Sequence, residues 1–289
     1  MRLVSFGPRG EERAGLLLGE EVLDLAKADA ALLASVLDLL EAGEAALARC
    51  RELAASPPAG ALLERASVRL GAPVPRPGKI LCLGANYIDH AKEADKLPPE
   101  RPLVFSKTVN AACGPEDDVP YPEGVAQLDY EVELAVVIGR RAKGFTSEEA
   151  KEIIAGYMVF DDVSARCAQF GDGQWFRGKS FDNFAPMGPA LVTPEEVPDW
   201  RALRLTTRVN GEPRQDARAG EMTFDPFVTL AHLGRGMTLE PGDVLATGTP
   251  AGVGVFREPQ ALLAPGDLVE CEVATLGVLR NRIVGEPGA

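Results

Sequence analysis

Between Gln127 and Arg140 the chain reads QLDYEVELAVVIGR, in which acids alternate with apolar residues before the pattern turns continuously apolar. Alternation with a period of two predicts a strand whose successive side chains point to opposite faces. Asp129, Glu131 and Glu133 then share a face with Ala135 and Val137, while Tyr130, Val132 and Leu134 form the other. Strand patterns recur in KILCLGANY, PLVFSK, GYMVFDDVSA, PALVT, LRLTTRVNG, DVLATG and LVECEVATLGVLRNRIV, with turn signals such as VNGEP, EPGD and APGD between them. Helical spacing is sparser. It runs from about Ala28 to Ala55, over NYIDHAKE before Pro98 and Pro99, in SEEAKEIIAG and near FDPFVTLAHLGRGM. QDARAGEMTF reads as a loop. The pattern predicts a mixed, mostly β fold without regular βαβ alternation.

Two proline-rich breaks, SPPAG and GAPVPRPGK, interrupt the chain early. Pro73, Pro75 and Pro77 each lack a backbone donor and have a fixed φ. A boundary there predicts a small N-terminal α/β domain over 1–70, a Pro-rich linker over 71–78 and a second domain over 79–289. The first carries no evident catalytic cluster.

Composition narrows the function. The formal charge of −13, from 43 acidic and 30 basic residues, opposes a nucleic-acid footprint and an anionic membrane surface. MRLVSFGPRGEERAG lacks the apolar region of a signal peptide, and no run is long and apolar enough to predict a membrane span, so a cytoplasmic protein is expected. Five scattered cysteines without a C-x-x-C pair argue against a zinc knuckle or a disulfide framework. With two histidines, His90 and His232, a metal site must rest on oxygen donors, which select Mg²⁺, Mn²⁺ or Ca²⁺.

The plain reading of Asp129, Glu131 and Glu133 is a solvated strand face. Against it stands the apolar continuation of that face, where buried like charges would repel and protonate unless a cation compensates them. In GYMVFDDVSAR, Asp161 and Asp162 must point to opposite faces, so one can join the glutamates. His90 and Glu93, three residues apart, share a helix side, and the acid could orient the imidazole; a charged surface patch is the alternative. His232 fits packing or capping better. Lys179 could snorkel to water or stabilise a developing enolate. Arg166 and Gln169 could hold a substrate carboxylate. GTPAGVG lacks the Lys-Ser/Thr ending of a phosphate loop.

Taken together, CLGANYIDHAKE, PLVFSK, LDYEVELAVVIGR, GYMVFDDVSAR, GQWFRGKSFDNFAPMGPALVT, RVNGEPRQD and MTLEPGDVLATGTPAGVG resemble, in order, the fumarylacetoacetate hydrolase superfamily. The resemblance implies a rolled β-sandwich preceded by the small N-terminal domain of many bacterial members, usually a homodimer, with one divalent cation per site. By motif position it implies Glu131, Glu133 and Asp162 as metal ligands, and His90 and Glu93 as a water-activating pair on a mobile lid helix. It implies Lys179 as the cationic electrophile, and Arg166, Gln169 and Thr249 at the substrate. Lys107 falls where the family often has lysine and is taken with the substrate contacts. Asp129 is not a family ligand and is read as a supporting or surface residue. Cys167 stands where relatives often carry Asp, Asp161 where Asn is common, and QDARAGEMTF lacks an Asn-Thr-Ser-like run.

The leading expectation is a Mg²⁺-dependent hydrolase cleaving the C–C bond of acylpyruvate- or fumarylpyruvate-type 2,4-dioxo acids, compounds of aromatic catabolism. His90 would activate water, and the cation and Lys179 would stabilise the enolate that leaves. The same site could isomerise 2-hydroxyhepta-2,4-diene-1,7-dioate or decarboxylate oxaloacetate. A non-catalytic metal- or ligand-binding member of the fold is the alternative from another class.

Overall fold

Val132–Ile138 is buried along its whole length, as its VELAVVI sequence requires once both faces are covered. In the computed structural model, which describes residues 1–32 and 34–285, this strand lies inside a large mixed sheet. It pairs antiparallel with Ile154–Asp161 on one side and Val244–Ala246 on the other. Beyond Val244–Ala246 the sheet continues through Ile80–Gly84, in parallel, to Leu103–Lys107. Beyond Ile154–Asp161 it continues through Ala185–Val192 to the N-terminal strands Arg2–Phe6, Arg13–Leu18, Glu21–Asp24 and Leu62–Glu64. Arg2 pairs with Val192, so residues before the proline-rich break extend the sheet that carries the acidic strand.

A second sheet runs in the order Glu212–Arg218, Arg204–Val209, Leu268–Val273, Gly277–Gly285, Val119–Tyr121. Its central strands pack across the Val132–Ile138, Ile154–Asp161 and Ala185–Val192 strands of the first. One apolar core runs from Leu3 and Phe6 through Val136 and Phe160 to Leu279. Strand outweighs helix, and the architecture is the mostly β sandwich expected. None of the described helices is long and apolar enough to cross a membrane.

Three details differ from the sequence reading. The helical stretch from 28 to 55 is two helices, Val36–Ala42 and Glu44–Ala55, broken where Gly43 takes φ 76°. Leu33 in that stretch and the last four residues lie outside the described residues. QDARAGEMTF is not a loop throughout: Glu212–Arg218 is a strand returning from Arg204–Val209 through Asn210-Gly211, both at positive φ. That is the hairpin geometry an Asn-Gly pair favours. In SEEAKEIIAG only Ser147–Ala150 is helical, and Ile154 already begins a strand.

Candidate active site

Strand register builds the acidic centre. Val132 pairs with Asp161, which leaves Glu131 and Asp162 opposite each other where the two strands end. The Asp162 N–H donates to the Glu131 carbonyl at 2.9 Å, and the Glu131 N–H donates to the Asp161 carboxylate at 2.9 Å. Glu133, two residues along, projects to the same side as Glu131. Glu131, Glu133 and Asp162 are all buried, and one oxygen of each lies within 4.8 Å of the others.

Three cations enclose this cluster. Lys179 Nζ donates to Glu131 Oε2 at 2.8 Å and to Asp162 Oδ2 at 2.6 Å. Arg166 NH1 lies 2.7 Å from Glu131 Oε1, while its Nε donates to Asp129 at 2.9 Å. Lys107 Nζ donates to Asp162 Oδ1 and to the Val163 carbonyl. Five buried carboxylates (Asp129, Glu131, Glu133, Asp161, Asp162) accompany three buried cations (Lys107, Arg166, Lys179), a formal excess of two negative charges when all are ionised.

The titration pattern shows where the deficit falls. Burial alone would raise Glu131, but Lys179 and Arg166 hold it well below the usual carboxylate range. Glu133 goes the other way: burial, then Asp162 and Glu131, push it well up, and the Gly248 N–H and Lys179 offset only part of this. Burial likewise pushes Asp161 up to about 7. Glu133 Oε2 accepts from the Gly248 N–H at 2.7 Å, and its Oε1 is buried with no hydrogen-bond partner among the described residues. An orphaned carboxylate oxygen, hard donors and an excess of two negative charges together suit a divalent cation.

Because the folded-state pKa values of Glu133 and Asp161 are raised, their stabilising effect is complete below the ordinary carboxylate range. It is lost as pH rises through the folded values. A divalent cation held by Glu131, Glu133 and Asp162 would remove the need for the proton on Glu133. The gap in melting temperature between metal-loaded and chelator-treated protein should therefore widen from about pH 5 to about pH 8. Scanning fluorimetry with Mg²⁺ and with EDTA measures it; a constant gap would contradict the charge assignment.

GTPAGVG holds carboxylates rather than phosphate. Its backbone N–H groups reach Glu133 from Gly248 at 2.7 Å, Glu93 from Gly252 at 2.8 Å, and Asp129 from Gly254 at 2.7 Å. Gly248 has φ 92°, and a Cβ on Gly254 would come within 2.6 Å of Asp129 Oδ1, so both positions need glycine. Asp129 also accepts from the N–H groups of Tyr130 and Val255. It is fully buried, which corrects its reading as a possible surface residue. Its work is to anchor Arg166 and the loop.

The short helix Ile88–Glu93 places His90 beside the same centre. His90 Nδ1 lies 2.7 Å from Glu93 Oε1, and Glu93 Oε2 takes the Gly252 N–H. With Nδ1–H donating to a carboxylate, Nε2 keeps its lone pair. A cavity of about 120 Å³ joins His90, Glu131, Arg166, Gln169, Lys179 and Thr249. Its remaining walls are largely apolar, among them Phe105, Trp175 and Phe256.

The residues singled out from sequence fall into two groups. His90, Glu131, Arg166, Gln169, Lys179 and Thr249 line the cavity; Glu133 and Asp162 complete the carboxylate cluster beside it, and Glu93 stands behind His90. Lys107 does not line the cavity and is buried against Asp162. Arg166 is already engaged by Asp129, Glu131 and the Gln169 side-chain Oε1 at 2.9 Å. Thr249 Oγ1 donates to the Val132 carbonyl at 2.9 Å and accepts from Gln215 Nε2 at 2.8 Å. Gln215, in the stretch read as a loop, therefore ties that turn to the acidic strand. The bond from the Glu131 N–H to Asp161 and the loop N–H groups were not foreseen; the glycines of GTPAGVG were the available signal for the loop. His232 lies half-buried on the helix Pro226–Gly234.

The fumarylacetoacetate hydrolase C-terminal family model matches residues 79–284, which contain every residue of this site. The chain belongs to that family. Mitochondrial oxaloacetate tautomerase Fahd2a of Rattus norvegicus is 43% identical over 290 residues, 98% of this chain and 92% of the relative. The solved fumarylacetoacetate hydrolase of Exiguobacterium antarcticum superposes with a TM-score of 0.86 at 35% identity, covering 99% of this chain and 100% of its own. Maleylpyruvate hydrolase of Sphingobium sp. SYK-6, solved with manganese(II) and pyruvate, gives a TM-score of 0.82 at 28% identity with the same coverage. This family member is an enzyme of a group whose relatives include tautomerases, hydrolases and isomerases.

Proposed function

We propose that the chain is a divalent-metal-dependent enzyme that enolises a small 2-oxo acid, with keto–enol tautomerisation of oxaloacetate as its reaction. The observation that carries the reading is the joining, in one cavity, of a base held by a carboxylate and a buried acidic cluster that lacks two positive charges. Cavity size supports a small substrate: about 120 Å³ is close to the space that holds one benzene-sized molecule. The relative of similar length that is named an oxaloacetate tautomerase supports the same substrate.

Glu131, Glu133 and Asp162 would hold the cation, Mg²⁺ or Mn²⁺. When bound, it supplies Lewis-acid polarisation of the substrate's 2-oxo oxygen and lowers the cost of an enolate. The protein does the rest. His90 Nε2 takes the C3 proton, which is acidic because it lies between a carbonyl and a carboxylate. Glu93 fixes the tautomer that leaves Nε2 free and stabilises the imidazolium that forms. Lys179 balances negative charge at the acidic cluster throughout. Gln169 orients the bound acid through its amide N–H groups, Thr249 shapes the wall beside it, and the apolar walls limit water. Return of the proton to oxygen gives the enol, and the reverse sequence gives the ketone.

A second reading, C–C hydrolysis of an acylpyruvate, is favoured by the same His90–Glu93 pair, which could equally take a proton from water. One assay separates them. The metal-loaded protein should speed decay of the enol absorbance of oxaloacetate while total oxaloacetate, titrated with NADH and malate dehydrogenase, stays constant. EDTA should abolish the effect. Loss of acetylpyruvate instead would favour hydrolysis, accumulation of pyruvate would favour decarboxylation, and no turnover of any of these would favour a non-catalytic binder.

A further inference from the structure

Of the ionic side chains that line the cavity, all but one are held by an ion pair or hydrogen bond to another described residue. Glu131, Arg166 and Lys179 belong to the buried network, and His90 is held by Glu93. The exception is Lys96, exposed on the cavity's solvent side. Among the described residues its ammonium has no ion pair or hydrogen bond; it stands 5.9 Å from the centroid of the Trp175 ring. Lys92, on the preceding helix, is by contrast paired with Asp89 at 3.1 Å.

Local backbone chemistry puts Lys96 there. The helix Ile88–Glu93 ends, Asp95 takes the left-handed conformation at φ 55°, and the Lys96 N–H turns back to the Ala91 carbonyl at 2.9 Å. Asp tolerates that conformation better than most residues. Pro98 and Pro99 then prevent the helix from resuming. The chain is thereby turned so that Lys96 joins the cavity lining along with Leu97 and Pro99.

Away from the acidic cluster the lining is otherwise mainly apolar, including Leu103, Phe105, Phe170 and Trp175. A second substrate carboxylate entering this region would find a charge partner in Lys96, beside the Trp175 face. The buried network cannot serve that end, because its three cations are already outnumbered by carboxylates. We propose that Lys96 is a specificity-determining residue that binds the distal carboxylate, which makes the substrate class 2-oxo dicarboxylates rather than 2-oxo acids with an apolar tail. This rests on the enolisation reading for its chemistry but not for its binding geometry.

The test uses the full-length, metal-loaded protein with Lys96→Met and Lys96→Arg. Tautomerisation is followed for oxaloacetate and for phenylpyruvate, which carries a ring in place of the distal carboxylate. Lys96→Met should raise KM for oxaloacetate about tenfold, equivalent to about 1.4 kcal/mol, with kcat within about twofold and phenylpyruvate kinetics unchanged. Lys96→Arg should recover most of the loss. Equal changes for both substrates, or none for oxaloacetate, would overturn the proposal. A wild-type protein that turns over neither substrate overturns the enolisation reading alone. Dissociation constants from quenching of tryptophan fluorescence then decide Lys96: the wild type should bind oxaloacetate more tightly than pyruvate, and Lys96→Met should erase the difference. Equal wild-type affinities would refute the assignment.

Discussion

Glu131→Gln is expected to lower oxaloacetate turnover by about a thousandfold or more and to leave the protein unable to hold a divalent cation. The glutamine keeps the size of the side chain and removes one of three anionic donors. Loss of several kcal/mol of Lewis-acid stabilisation corresponds to a rate loss of this order, at about 1.4 kcal/mol per decade. Glu131 is also where Lys179 at 2.8 Å and Arg166 at 2.7 Å converge. The fold should survive, because Arg166 retains Asp129 and Lys179 retains Asp162. Circular dichroism and a melting curve check that point. A variant that keeps both its turnover and its cation would remove Glu131 from the ligand set.

His90→Gln separates proton transfer from metal binding. General acid–base catalysis contributes about 10²–10⁴-fold, and kcat/KM should fall within that range while the cation remains bound. Nothing in the acidic cluster depends on the imidazole for a hydrogen bond, and Glu93 keeps the Gly252 N–H at 2.8 Å. Steady-state kinetics with a parallel metal titration reads both quantities. Turnover within about twofold of wild type would assign the base elsewhere. Simultaneous loss of the cation would make His90 a structural support of the cluster.

Local periodicity explains why part of the centre was legible in the sequence. Glu131 and Glu133 are two residues apart on a strand, and His90 and Glu93 three apart on a helix, so each pair had to share a side. The juxtaposition of Asp162 with Glu131 required a strand register, which the adjacent apolar runs suggested but did not state. What was illegible is long-range. The Gly248 donor lies 115 residues from Glu133, and Gly254 lies 125 residues from Asp129. No periodicity connects such positions. Asp129 looked like the outer edge of an acidic strand because its three backbone donors come largely from that distant loop. Lys107 looked like a substrate contact because motif position carries no depth; the strand Leu103–Lys107 instead delivers it beneath Asp162.

Turn chemistry explains the remaining differences in the fold. Asn210-Gly211 marked a hairpin, but the polar composition of Glu212–Arg218 hid the returning strand, which lies at the sheet's edge and buries only Gln215 among its seven residues. That one buried side chain reaches Thr249 and the Pro250 carbonyl, so an unremarkable polar segment positions part of the cavity.

Anomalous diffraction from manganese-soaked crystals tests the carboxylate centre most directly, because it locates the ion without reference to turnover. One peak per chain is predicted, within coordination distance of Glu131, Glu133 and Asp162, and absent from Glu131→Gln crystals grown alike. No peak there, or a peak elsewhere that persists in the variant, would contradict a metal centre built on these three residues.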